Sequence, residues 1–336
     1  MAAALVRSVF GRVGTSRAVL CRRVSTNDQK LVETEKHGQV FLIGINRPEV
    51  RNCVDPETSR QLIAAFRQFD REEDLLVAVL HGHGCGVFCA GYDLKFLSEV
   101  DASVGPTFKE PVESDEAPMG PSRMLCTKPV IAAVAGYAVA GGLELACMCD
   151  LRVVEESAVM GVFCRRFGVP LLDGGTVRLP RLIGLSRALD LILTGRQVSA
   201  KEAFQFGLAN RLVATGTALG QSVQLAKEIA KHPQMCMKAD RRSAYYSAYD
   251  AKSTVDAFQF EFENGIKVIE EESVKDDIFT QIHPPNMQGN TAAGSRVPTT
   301  TPTSPSNMQD DKCRESQSME RENEKPKSRK IPRLLG

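Results

Sequence analysis

An acid set among apolar residues beside two glycines is the first place in this chain where chemistry is expected. Residues 129–150, PVIAAVAGYAVAGGLELACMCD, open with Val130, Ile131, Ala133 and Val134, a short apolar run that reads as a strand. The run breaks at Gly136 and again at Gly141 and Gly142, after which residues 143–148 read as the first turns of a buried helix. Glu144 sits in that first turn among Leu, Ala and Cys. An ionised carboxylate there costs free energy unless it has partners or a task. The glycines let a backbone approach a ligand closely. The helix start offers unpaired N–H groups and a positive dipole end. Such a stretch can stabilise an oxyanion beside a proton carrier. Taken alone it also permits a plain tight turn with Glu144 in solvent.

A second segment, residues 88–96 (FCAGYDLKF), follows another apolar strand at 75–80. Together the two segments resemble the crotonase (enoyl-CoA hydratase/isomerase) superfamily. The resemblance implies that Tyr92 and Gly141 each donate a backbone N–H to the thioester oxygen of an acyl-CoA. Residues 47–52 (RPEVRN) resemble the family's first CoA-contacting loop, and residues 168–179 (GVPLLDGGTVRL) and 193–211 (LTGRQVSAKEAFQFGLANR) also look like family segments. The likeness runs from about residue 31 to about residue 278. It implies substrate contacts from Arg51, Asn52, Ala90, Gly91, Asp93 and Gly142, and Glu144 as the acid/base. It also implies homotrimers or hexamers, no cofactor beyond the coenzyme A thioester itself, and no metal.

One family feature is missing. Hydratases of the family carry a second glutamate about twenty residues after the first, and that position here is Cys164. No acid occurs between Glu156 and Asp173. Hydration needs a base to activate water at C3 and an acid to protonate C2, and loss of one such group costs about 10²–10⁴-fold in rate. Asp173, the Tyr92 hydroxyl and Cys164 are the candidates to fill the gap. Arg165 and Arg166 adjoin Cys164 and are expected to form ion pairs, with binding of an acidic group as the alternative. The expected function is an acyl-CoA enzyme of the hydratase type. The alternatives are an isomerase, decarboxylase or hydrolase of another acyl-CoA, or a low-activity acyl-CoA-binding protein.

The elements that position these residues follow from periodicity. Residues 40–46 (VFLIGIN) read as a strand and 56–70 as an amphipathic helix with Leu62, Ala65, Phe66 and Phe69 on one face. A strand is expected at 150–154. Helices are expected at 179–193, 200–206 (stopped by Gly207), 217–229 and 246–271. The expected fold class is α/β, a crotonase-type spiral of repeated ββα units over residues 27–195 with a helical C-terminal, oligomerising region over 196–283. Residues 100–121 read as a loop or short helix beside the site. His81, His83 and Cys85 alternate as metal ligands on a strand would, but Gly82, Gly84 and Gly86 loosen them and no second ligand cluster appears, so no metal site is expected.

Composition bounds the rest. A net charge of +1 over 336 residues gives no field that attracts nucleic acid or an acidic membrane. No run of about 18 apolar residues is long enough to span a bilayer, so no membrane insertion is expected. Ten irregularly spaced cysteines suit free thiols in a reducing compartment. Residues 1–25 hold Arg7, Arg12, Arg17, Arg22 and Arg23 with no acid before Asp28, the signature of a mitochondrial transit peptide and hence of a matrix address. Residues 284–336, rich in Pro, Ser, Thr and charge, are expected to be a disordered tail.

Overall fold

The computed structural model describes residues 30–84, 86–99 and 114–271. The expected transit segment, Cys85, most of the 100–121 loop and the tail from residue 284 lie outside the described residues. Contacts divide the chain into two units at Pro284–Pro285, and every described residue belongs to the first.

Strand β1 (Val32–His37) pairs antiparallel with β2 (Val40–Ile45), Val32 opposite Ile45, through a tight turn at Gly38, whose φ is +62°. From β2 the sheet continues in parallel through β3 (Val77–Gly82), β4 (Val130–Val134), β6 (Leu151–Glu155) and β9 (Arg211–Val213). Helix α1 (Pro56–Arg71) makes the crossover from β2 to β3. Asp55 caps it, its carboxylate accepting the Thr58 N–H at 2.8 Å, and Pro56 supplies a preset φ at the first helical position.

Both faces of this sheet are covered, which is why its strands read as nearly continuous apolar runs. Phe41, Ile43 and Ile45 of β2 and Ala78 and Leu80 of β3 face a core shared with Leu62, Phe66 and Phe69 of α1. Val40, Leu42, Val77 and Val79 face the other way, onto Ala218, Leu225 and Ala226 of α7 (Ala218–Ala230). Phe66 and Phe69 are fully buried, each contributing roughly 1.5–3 kcal/mol.

A smaller sheet of β5 (Tyr137–Val139), β7 (Val159–Gly161) and β8 (Val198–Ser199) lies beside the first. Single bridges extend it, Cys89 to Ala138 and Tyr92 to Val54. The chain therefore repeats one pattern. It runs through the large sheet, then a short stretch in the small sheet, then a helix. Val54 and α1 follow β2; residues 89–92 and α2 (Leu94–Glu99) follow β3; β5 and α3 (Gly141–Met148) follow β4. After β6 and β7 a 3-10 turn, Phe163–Phe167, takes the helix's place. This is the expected ββα spiral.

Two expected helices are each found to be two. The span 179–193 is α4 (Gly175–Ile183) and α5 (Leu185–Thr194), broken at Gly184, whose φ of +82° no helix accommodates. The span 246–271 is the end of α8 (Gln234–Tyr249) and α9 (Thr254–Glu270). Here Ser253 caps α9 by accepting the Asp256 N–H, while the Tyr246 carbonyl takes the N–H of Asp250 and of Ala251 and closes α8. Helix α6 (Ala200–Phe206) ends at Gly207 with a left-handed C-cap, as expected.

Candidate active site

The turn from β5 into α3 brings two main-chain segments together. Ala140 precedes the helix at φ +52°, ψ −125°, and its N–H is taken by the Gly161 carbonyl. Gly141 is the first residue of α3, so its N–H has no acceptor within the helix. Gly91 approaches it so closely that a Cβ there would lie 3.1 Å from the Gly141 nitrogen. Gly142 is held against the Cys89 carbonyl, which a Cβ would reach at 2.1 Å. The bridge at Tyr92 is made by its neighbours, Val54 donating to the Gly91 carbonyl and Asp93 to the Val54 carbonyl. The residue before Tyr92 thus lies against the start of α3. Tyr92 and Gly141 both line one cavity of about 710 Å³.

Two carboxyls line the same cavity. Glu144, one turn into α3, is only 3% exposed. Its Oε1 accepts the N–H of Asp173 at 3.0 Å and of Gly175 at 2.8 Å. Oε2 bonds to no described residue and is left to the cavity. Burial, and then the charge of Asp173, pushes Glu144 up to about 8; the two amides oppose this. Asp173 is 4% exposed, and its Oδ1 accepts from the Met119 N–H at 2.9 Å and the Ser122 hydroxyl at 2.5 Å. Burial also raises Asp173, against the pull of Ser122, Met119, Arg123 and Arg178. Arg178 donates to the Asp173 carbonyl at 3.2 Å and Arg123 to the Leu172 carbonyl at 2.9 Å, which fixes the loop that holds Glu144. The arrangement can hold a proton at neutral pH beside an oxyanion cradle, which is what general acid–base work requires.

The remaining expected residues divide between the cavity and its frame. Arg51, Ala90 and Cys164 line the cavity, together with Phe163, Phe167, Val169 and Leu172. Asn52, Gly91, Asp93 and Gly142 stand behind its walls. Asn52 is fully buried; its Oδ1 accepts the Arg47 N–H and its Nδ2 donates to the His83 and Val87 carbonyls, so it ties one loop to the next. Arg51 and Asn52 both carry left-handed backbone at φ +56°. Asp93 pairs with Arg47 at 3.1 Å and accepts the Lys95 and Phe96 N–H groups at the start of α2. The Cys164 thiol is raised by burial and then by the Glu144 charge, so it rests protonated.

Among the described residues, Arg165 and Arg166 do not make the ion pairs expected of them. Arg165 donates to the Ile192 carbonyl, and Arg166 donates twice to the Gly195 carbonyl and lies over the Phe163 ring. Carbonyls at a helix C-terminus lack intrahelical partners, and these two arginines cap the end of α5 instead of meeting acids. His81 packs against Gly44, with Nδ1 3.3 Å from the Gly82 carbonyl, and His83 pairs with Glu33 at 3.6 Å. Among the described residues no group of three or more His, Cys, Asp or Glu side chains is placed to hold a metal.

Ser122, Met119, Gly175 and Arg178 were not anticipated. The partners of Gly175, Ser122 and Met119 lie 31, 51 and 54 residues away, and that of Arg178 lies 5 away; Gly175 and Arg178 fall within the 168–179 segment, but neither stands out there by type or spacing.

Comparison with known proteins places these features in company. A family model described as enoyl-CoA hydratase/isomerase matches residues 35–282. The enoyl-CoA hydratase EchA19 of Mycobacterium tuberculosis is 34% identical over 263 residues, which is 76% of this chain and 95% of that protein. A probable mitochondrial enoyl-CoA hydratase of Dictyostelium discoideum is 33% identical over 65% of this chain and 76% of its own length. Among solved structures, an enoyl-CoA hydratase from M. tuberculosis H37Rv superposes with a TM-score of 0.69 at 32% identity, covering 76% of this chain and 96% of that one.

Proposed function

The chain belongs to the enoyl-CoA hydratase/isomerase family and to its acyl-CoA enzymes, and from that premise we propose that it acts on an α,β-unsaturated acyl-CoA with Glu144 and Asp173 as its acid/base pair. The observation that carries this reading is the Glu144 carboxyl, buried and raised to about 8, with one oxygen open to the cavity whose wall also holds Asp173. The N–H groups of Tyr92 and Gly141 receive the thioester oxygen. One such donor is worth about 2.7–4 kcal/mol at the transition state. Water adds at C3 as one of its protons passes to the Asp173 carboxylate, the C2=C3 electron pair moves onto the thioester oxygen, and Glu144 delivers its proton to C2. Asp173, held by Met119 and Ser122, is the second carboxyl of the site. The Tyr92 hydroxyl is raised by burial and nearby acids and stays protonated. Arg51 at the cavity mouth suits the phosphates of coenzyme A. No metal or further cofactor is needed for these steps.

Kinetics on four variants test the reading. Glu144→Gln loses at least about 10²-fold in kcat on crotonyl-CoA with acyl-CoA affinity nearly intact. Asp173→Asn is comparably damaging, and Cys164→Glu gains little. Gly141→Pro, which deletes an N–H, is inactive. A Glu144→Gln protein with parental turnover on every thioester the parent accepts overturns the assignment. Cys164 supports a second reading, an acyl-CoA-binding protein with little turnover; in that case Cys164→Glu raises hydration sharply and Asp173→Asn changes little.

Address and assembly belong to the same proposal. The Arg-rich start and the mitochondrial relative support a matrix enzyme. The exposed Val255, Phe258, Phe262 and Ile269 of α9 support a trimer or a pair of trimers formed through the C-terminal helices.

A further inference from the structure

Among the described residues two thiols line the cavity, Cys164 and Cys53, and they differ in their neighbours. Cys53 stands among Asp93, Arg47 and Arg51, and burial pushes it up to about 11. Cys164, 8% exposed, stands within reach of the Glu144 charge. Its backbone is fixed in the 3-10 turn, its carbonyl accepting the Val169 N–H at 3.2 Å. Cys147 also feels Glu144 but is buried and off the cavity wall. A thioester whose oxygen lies at the Tyr92 and Gly141 amides sets its unsaturated carbons in the space that Glu144 and Cys164 share.

We propose that Cys164 is a substrate-addition site, its thiol adding across the C2=C3 bond of a bound α,β-unsaturated acyl-CoA to give a β-thioether. This rests on the acyl-CoA reading above. The Sγ–C3 bond forms as the C2=C3 π bond breaks, and the electron pair moves onto the thioester oxygen at the two amides. Glu144 in its ionised form, the minority near neutral pH and the majority above about 8, takes the thiol proton and returns it to C2. Nothing leaves and nothing is oxidised, so the product is the protein carrying one intact acyl-CoA. Glu144 is required because a thiol raised by burial is a poor nucleophile until a base removes its proton.

The test incubates the full chain with crotonyl-CoA or with saturated butanoyl-CoA, quenches in acid, and reads intact mass and peptide maps. Butanoyl-CoA affinity is measured on the same protein by calorimetry. Crotonyl-CoA is expected to add one equivalent of its own mass, on the peptide holding Cys164, and butanoyl-CoA none. The adduct is expected to vanish in Cys164→Ser and in Cys164→Ala, whose butanoyl-CoA affinity reports that they fold. It forms at least about 10²-fold more slowly in Glu144→Gln. If butanoyl-CoA binds and Cys164 stays unmodified, or the mass falls on Cys53 or on the exposed Cys236, the addition is overturned while the acyl-CoA reading stands. A Glu144→Gln protein that reacts at the parental rate overturns the step as written. If neither thioester binds, both readings fall.

Discussion

Replacing Glu144 with Gln separates the carboxyl's chemical task from its structural cost. The amide keeps an oxygen to accept the Asp173 and Gly175 N–H groups, so the loop at 173–175 keeps its anchor. What disappears is the titration. The wild-type carboxyl ionises near 4.5 in the unfolded chain and near 8 in the folded one. Below the lower value both states hold the proton and no difference arises. Between the two, the folded state keeps a proton that the unfolded state has released, so stability falls as pH rises, by about 1.4 kcal/mol per unit. Above the upper value both states are ionised and the full penalty stands, roughly 5 kcal/mol across the shift from 4.5 to about 8. The Gln variant escapes this. Its stability relative to wild type therefore climbs from pH 5 to pH 8 and levels off by pH 9. Part of the climb belongs to Asp173, which is relieved of a charged neighbour. Urea denaturation of both proteins in matched buffers from pH 5 to pH 9 reads the difference, in which titrating groups away from Glu144 cancel. A difference that stays flat with pH would refute the reasoning, because Glu144 would then titrate in its cavity as it does in water.

Gly142→Ala places a Cβ 2.1 Å from the Cys89 carbonyl, a main-chain atom that cannot swing aside; it should cost about 1–3 kcal/mol or more, and an unchanged Tm would contradict the close approach. Asn52→Ala leaves the Arg47 N–H and the His83 and Val87 carbonyls without their partner in a fully buried place; a loss of about 2–3 kcal/mol is expected in denaturant titration, and a loss below about 0.5 kcal/mol would show that water replaces the side chain. Residues 1–25 fused to a fluorescent protein should carry it to mitochondria, and their deletion should leave the full chain in the cytosol; imaging that finds both fusions cytosolic removes the address.

How much was legible in the chain depended on how local the cause was. Strand β2, helix α1, strands β3 and β4 and the start of α3 come from short-range rules: apolar period, the Asp55 cap, the glycine pair. The position of Glu144 in the first turn of an apolar helix was legible for the same reason. The small sheet was not, because β8 is two residues long and β5 and β7 three each, and such strands exist only through their neighbours. The break at Gly184 was hidden because apolar periodicity continues on both sides of it.

The amino-acid sequence by itself determined which groups are present: two glycines, one glutamate a turn beyond them, a cysteine where a second glutamate would stand, and an aspartate nine residues further on. Only the tertiary structure decided what those groups are. It brought the Asp173 and Gly175 amides to Glu144 from 29 and 31 residues away, and Ser122 and Met119 to Asp173 from 51 and 54. It sent Asn52 and Asp93 into the frame, and Arg165 and Arg166 to the carbonyls that end α5. A residue's charge is covalent and can be read from one position. Its burial and its hydrogen-bond partners come from segments far along the chain, and in a cavity they set whether a carboxyl carries a proton.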